Sequence, residues 1–291
     1  MQYRKLVFSL FTLCFVPFIQ AQELEEANKY LEQNDFNKAK RTLKGHPDNL
    51  TAIETLGDIA SFEQEWDNAI GYYKKLLKVR PKSSNYNFKL GGAMGMKAME
   101  ISKFSAAFMV GNIKTYLNRA ARLDPNHAEV RRALVELYME LPAIVGGSKE
   151  VAQQRALELH SINAVDAYLA EAYIHKAEKK EDLRKVAIEK ALRAAAENKK
   201  LLVRNYLNFE LGERAATLNI MPVQTVNLLK TYIENYNYKD LKSPAWAYFY
   251  IAKIESKQNK QDEALSNINK ALSTKISFPE AEKLKLEILE M

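Results

Sequence analysis

The sequence predicts an all-α protein built from about seven helix–turn–helix pairs and closed by a terminal capping helix. Three observations carry that expectation. Apolar residues recur at helical spacing from Glu23 to the C-terminus, the pattern of helices that bury one stripe. No stretch shows the convincing two-residue alternation of a half-buried strand. Glycine and proline are sparse, at 10 and 8 of 291 residues, while 47% of the chain is apolar, which is a folded composition.

The first residues stand apart. Arg4 and Lys5 precede an apolar run, Leu6–Ile19, broken only by Ser9, Thr12 and Pro17, and Ala21 follows. This is the layout of a secretory signal peptide, residues 1–21, cleaved after Ala21. The run is shorter than the ~20 residues of a spanning helix. The chain is therefore expected to be exported, to a bacterial periplasm or outside the cell, and not to be transmembrane after signal cleavage. Cys14, the only cysteine, leaves with the signal, so no disulfide framework or thiol chemistry is expected. Losing Arg4 and Lys5 takes the formal charge from +7 to +5. Acidic and basic residues are interleaved along the helices as solvated faces, so no nucleic acid partner is expected.

Residues 22–49 form a shortened first unit, with Ala27, Tyr30, Phe36 and Ala39 in place and Pro47 cutting the second helix short. Residues 50–83 carry the clearest pattern. Leu56-Gly57, Trp66, Asp67-Asn68-Ala69, Tyr73 and Pro81 follow one another over 34 residues. Gly57 and Ala69 let two helices approach, Tyr73 fills the space between units, Trp66 is expected in the core, and Pro81 ends the second helix.

That spacing resembles a tetratricopeptide repeat. The resemblance extends along most of the chain. Residues 84–127 form an enlarged repeat, with Leu90-Gly91, Leu117-Asn118-Arg119-Ala120 and about ten additional residues between them. Those additions either lengthen both helices or add a turn elsewhere. Residues 128–162 hold an insertion, Pro142 to Lys149, in which Pro142 stops one helix and Ser148 caps the next. Residues 163–198 follow, with a charged loop expected from Lys176 to Asp182. Residues 199–238 are a weaker pair, broken near Met221-Pro222. Residues 243–274 recover the pattern, and residues 279–291 read as the cap.

The resemblance implies a right-handed superhelical solenoid that presents a concave groove to a protein or peptide partner. In this family the fifth and ninth positions of each first helix face the groove. Here they are Glu54 and Asp58, then Phe88, then Arg132 and Glu136. Phe62 and Asn85 are further groove residues on the same expectation, and Trp246, near the start of a first helix, is expected to face the groove as well. Some family members clamp a peptide carboxylate with lysine and asparagine at those two positions. The acids and arginine here argue against such a clamp.

Little in the sequence points to chemistry. His46, His127, His160 and His175 are not spaced as zinc ligands. Gly91 to Lys97 lacks the adjacent Gly-Lys-Ser/Thr of a phosphate loop. Gly146-Gly147-Ser148-Lys149 is either a turn with a capping serine or an anion cradle at a helix start. Catalytic residues, metal and cofactor are accordingly none, and the protein is expected not to be an enzyme. The methionines and phenylalanines of Phe88–Met109 either fill the enlarged repeat or form an adaptable apolar surface. The function expected is an envelope scaffold or adaptor. The alternatives are a glycan- or lipid-binding envelope protein, or an enzyme using the enlarged middle region.

Overall fold

The structure, a computed structural model, describes residues 23–240, 242–273 and 277–291. The expected signal segment lies outside the described residues. Among the described residues every regular element is helical. They divide into two compact units, one running to Asp124 and one from Pro125 to Met291.

The first unit holds three antiparallel pairs: α1 (residues 23–32) with α2 (Phe36–Lys44), α3 (Leu50–Phe62) with α4 (Trp66–Val79), and α5 (Ser84–Glu100) with α6 (Lys103–Leu123). The second holds four: α7 (Ala128–Glu140) with α8 (Lys149–Leu159), α9 (Ala164–Ala177) with α10 (Glu181–Glu197), α11 (Asn205–Leu218) with α12 (Pro222–Glu234), and α13 (Pro244–Lys257) with α14 (Gln261–Leu272). The last helix, α15 (Pro279–Leu289), covers the end of α14.

Sequence chemistry sets the helix starts. Asn49 accepts hydrogen bonds from the Thr51 and Ala52 amides, Ser83 from Tyr86, Ser102 from Ser105, and Asn163 from Val165 and Asp166. Pro222, Pro244 and Pro279 sit in the first turns of their helices, where a missing N–H costs nothing. The turns inside the pairs repeat one device. Asn34, Gln64, Lys179, Asn219 and Asn259 all have positive φ, between 55° and 62°. In each case the next amide reaches back to a carbonyl five residues earlier, as Glu65 does to Ala60 at 2.8 Å.

Close approach within the pairs depends on absent side chains. A Cβ on Gly57 would lie 2.6 Å from the Tyr73 ring, and one on Gly212 would lie 2.6 Å from Leu229. Tyr73 is buried, and its hydroxyl donates to Asp58 at 2.8 Å. Isolated helices of this length are marginal in water, so the stack is held by such interfaces.

The enlarged repeat lengthens both of its helices, to 17 and 21 residues. Gly91 and Gly92 lie inside α5, and Gly91 packs on Leu117. The 142–149 insertion is a bonded turn. Ser148 N–H donates to the Tyr138 carbonyl, Gly147 N–H to Pro142, and Gly146 takes φ 85°. Ser148 then caps α8 by accepting from the Val151 amide at 3.2 Å.

Two expectations need correction. The Lys176–Asp182 loop is shorter, because the helices on either side take up all but residues 178–180. Trp66 is only half-buried, since it opens α4 at the surface and its indole N–H donates to Glu100 at 2.6 Å.

Candidate functional site

The groove residues expected from sequence all lie on the first helices of their pairs. In the first unit, Lys89 of α5 reaches across to α3. Its Nζ lies 2.6 Å from Glu54 and 2.7 Å from both Asp58 oxygens, and Asn85 donates to Glu54 at 2.7 Å. Burial raises the Glu54 carboxyl, but Lys89 and Asn85 outweigh it and hold it below its ordinary value. Phe88 is half-buried nearby on α5. Phe62 is half-buried against Phe36, with ring centroids 5.0 Å apart.

The second unit uses the corresponding face differently. Arg132, expected on the groove, is 7% exposed. Its guanidinium donates to Asp166 of α9 at 3.1 Å and to Glu210 of α11 at 2.5 and 3.2 Å. It therefore spans three successive first helices. Asp166 also takes two bonds from Arg204, and Glu210 two from Arg214. Burial alone would raise the Glu210 carboxyl, yet Arg132 and Arg214 bring it down to about 2. Glu136 lies 3.7 Å from Arg132, and burial holds its carboxyl above the usual range despite that arginine. Tyr173 of α9 bonds Glu140 of α7, and Tyr250 of α13 donates to Glu213 of α11. These links tie the second unit's inner helices together, and Arg132 is satisfied within the chain.

Trp246, the groove residue expected in the last pair, stands near the start of α13. It is half-buried, with its ring 4.4 Å from Phe278 and 6.0 Å from Phe249. Phe278, the residue that precedes α15, packs on both rings.

Two features escaped the groove reasoning. One is the outer end of the enlarged pair. Met99, Phe104 and Phe108 are 79%, 76% and 73% exposed, and Met96 is exposed as well. The two phenylalanines meet edge to face at 5.0 Å. Of the two readings of Phe88–Met109, core filling holds for Met94 and an open apolar surface for these four residues. The other is a slot of about 540 Å³ beside α11, between α10 and α12. Asn205 and Asn208 line it, and each has a buried Oδ1 with no hydrogen-bond partner among the described residues.

Among the described residues no three His, Cys, Asp or Glu side chains are grouped as metal ligands. His46 and His160 pair with Glu23 and Glu171.

No family model matches the sequence, and no curated protein matches it. Solved structures do resemble the fold. A tetratricopeptide repeat protein from Parabacteroides merdae ATCC 43184 is 15% identical over 93% of this chain and 98% of its own, with a TM-score of 0.48. The APC/C hetero-tetramer Cut9-Hcn1 matches at 15% identity and a TM-score of 0.52, over 91% of this chain and 46% of that one. These likenesses concern fold alone. With the second of them, the glycine-seated helix pairs show an all-α fold of tetratricopeptide type.

Proposed function

We propose that this protein is a scaffold or adaptor of a bacterial envelope, exported by its N-terminal segment and without catalysis of its own. It holds a partner protein or peptide on its first unit. The observation that carries this reading is the exposed Met96, Met99, Phe104 and Phe108 end of the α5–α6 pair. Full burial of one such side chain is worth roughly 1.5–3 kcal/mol, and exposed apolar patches on monomers mark interaction sites. The inner face around Glu54, Asp58, Asn85 and Phe88 adjoins it in sequence and remains partly open to solvent. In the second unit, Arg132 is already satisfied by Asp166 and Glu210. Export is supported by the Arg4-Lys5 start, the apolar run and Ala21. Among the described residues no helix is long and apolar enough to cross a membrane.

The test is affinity capture from envelope extract, read by mass spectrometry, with wild type beside Phe104→Ser/Phe108→Ser. A protein retained by wild type and depleted at least about tenfold by the double variant, at unchanged melting temperature, supports the reading, since two lost apolar anchors exceed 1.4 kcal/mol. Equal enrichment by both contradicts it. Lys103 beside Phe104 also suits an anionic lipid surface, and co-sedimentation with phosphatidylglycerol vesicles separates that second reading from the first.

A further inference from the structure

We propose that the first unit docks on an anionic lipid surface through a cationic band formed by the C-terminal halves of α2, α4 and α6. The band is separate from the apolar end of the α5–α6 pair and does not rest on the scaffold reading.

The charges of the first unit mix along the chain but sort by helix. α2 carries Lys38, Lys40, Arg41 and Lys44, and α6 carries Lys103, Lys114, Arg119 and Arg122, with no acid in either helix. α4 sets Lys74, Lys75 and Lys78 against Asp67, which pairs with Lys97 of α5. The other unit shows no such sorting. Its α10 sets Glu181, Asp182, Glu189 and Glu197 against four cations. A helix dipole favours a cation in the last turn, yet α8, α10 and α12 end without one. The dipole alone therefore does not account for the band.

The fold gathers these residues. α2, α4 and α6 are each the second helix of an antiparallel pair, so they end on the same side of the unit. Arg80, just beyond α4, lines one pocket with residues 45–51, which follow α2. Ser84, at the start of α5, donates to the Ala120 carbonyl near the end of α6 at 2.8 Å. In α4 the face opposite the buried Ala69, Tyr73 and Leu76 holds Gly71, Lys74 and Lys78, and a Cβ on Gly71 would meet nothing within 4 Å. Among the described residues the exposed Lys44, Lys74, Lys78 and Lys82 make no ion pair. The acids of α1 at this end are already engaged: Glu23 lies 2.6 Å from His46, Glu25 lies 3.3 Å from Lys29, and Glu26 accepts from Tyr30 at 2.7 Å. Asp48 and Asp124, in the connections, leave the cations in excess.

Two observations favour a bilayer over a dissolved polyanion. Val79, 62% exposed, stands between Lys78 and Arg80, and Leu123, 37% exposed, follows Arg122. Cations with exposed aliphatic neighbours suit the boundary between headgroups and acyl chains. The chain also enters the fold on this side. Glu23 lies against His46, and the apolar run Leu6–Ile19 precedes it in sequence. A segment of that layout is delivered to a membrane during export, which brings this side of the unit to the bilayer first. Each basic residue held near an anionic leaflet raises partitioning about fivefold. Arg122 lies about 21 Å along α6 from Phe108, so a docked unit keeps its apolar end free for a partner.

The test is co-sedimentation of the chain from Gln22, which holds every described helix, with vesicles of equimolar phosphatidylglycerol and phosphatidylcholine, and with phosphatidylcholine alone. Lys44→Gln/Lys74→Gln/Lys78→Gln/Lys82→Gln is compared with Lys199→Gln/Lys200→Gln/Lys257→Gln/Lys260→Gln, which removes the same charge from exposed positions of the second unit. The first variant is expected to weaken partitioning to the anionic vesicles at least about tenfold, and the second less than about twofold. Arginine at the first four positions is expected to retain binding, which separates lost charge from lost folding. Absence of binding to the anionic vesicles overturns the proposal, as does equal binding to phosphatidylcholine alone or equal weakening by the two glutamine variants. So does loss in Phe104→Ser/Phe108→Ser with none in the first lysine variant, which moves the lipid contact to the apolar end. Polyglutamate is titrated in parallel, and lysine-dependent binding to it with none to vesicles overturns the bilayer in favour of an acidic macromolecule.

Discussion

Replacing Arg132 with methionine removes a side chain that bonds both α9 and α11 from α7 while keeping most of its volume. Asp166 and Glu210 would each lose a buried partner, although Arg204 and Arg214 would remain on them. Removing one partner of a buried ionic cluster costs about 3–5 kcal/mol. The two remaining arginines place this case near about 3 kcal/mol. For a unit of the size of Pro125–Met291, that is a drop in melting temperature of roughly 6–12 °C. The assay is thermal unfolding by far-UV circular dichroism at neutral pH, run as a cycle with Glu210→Met and the double variant. The double variant is expected to lose less than the sum of the singles, because it no longer buries the carboxylate that Arg132 holds. A shift for Arg132→Met below about 2 °C, or strict additivity in the cycle, would refute the view that this network holds the inner helices together.

Three further outcomes follow from the geometry. The Glu210 carboxyl titrates near 2 in the folded chain against an ordinary 4.5. Its contribution, up to about 3 kcal/mol, is thus present above that ordinary value and lost as pH falls from there toward 2; urea midpoints across that window should decline more steeply in wild type than in Glu210→Gln. Gly57→Ala drives a methyl into the buried Tyr73 ring and should cost about 1–3 kcal/mol in denaturant unfolding, whereas Gly71→Ala, with open space around it, should not destabilise. Ser148→Ala removes the α8 cap and should cost about 1 kcal/mol by the same measurement.

The repeat units were legible because their signals are local. Gly57, Ala69, Tyr73 and Pro81 lie within one unit, and each acts on a neighbour a few residues away or across one turn. The left-handed turns were less visible. Asn34, Asn219 and Asn259 favour that conformation, but Gln64 and Lys179 do not announce it. Arg132 was placed on an inner face by its position in the repeat. Its burial was hidden, because its partners lie 34 and 78 residues away. The contact of Trp246 with Phe278 was hidden for a similar reason, as Phe278 arrives only after another helix.

The most direct test of the scaffold reading is photo-crosslinking in the native envelope, with a benzophenone amino acid at position 104 and, separately, at position 283, where Lys283 is an exposed residue of α15. The account predicts that position 104 captures one defined partner protein and that position 283 does not. Equal, diffuse labelling from both positions, or no protein adduct at 104, would contradict it.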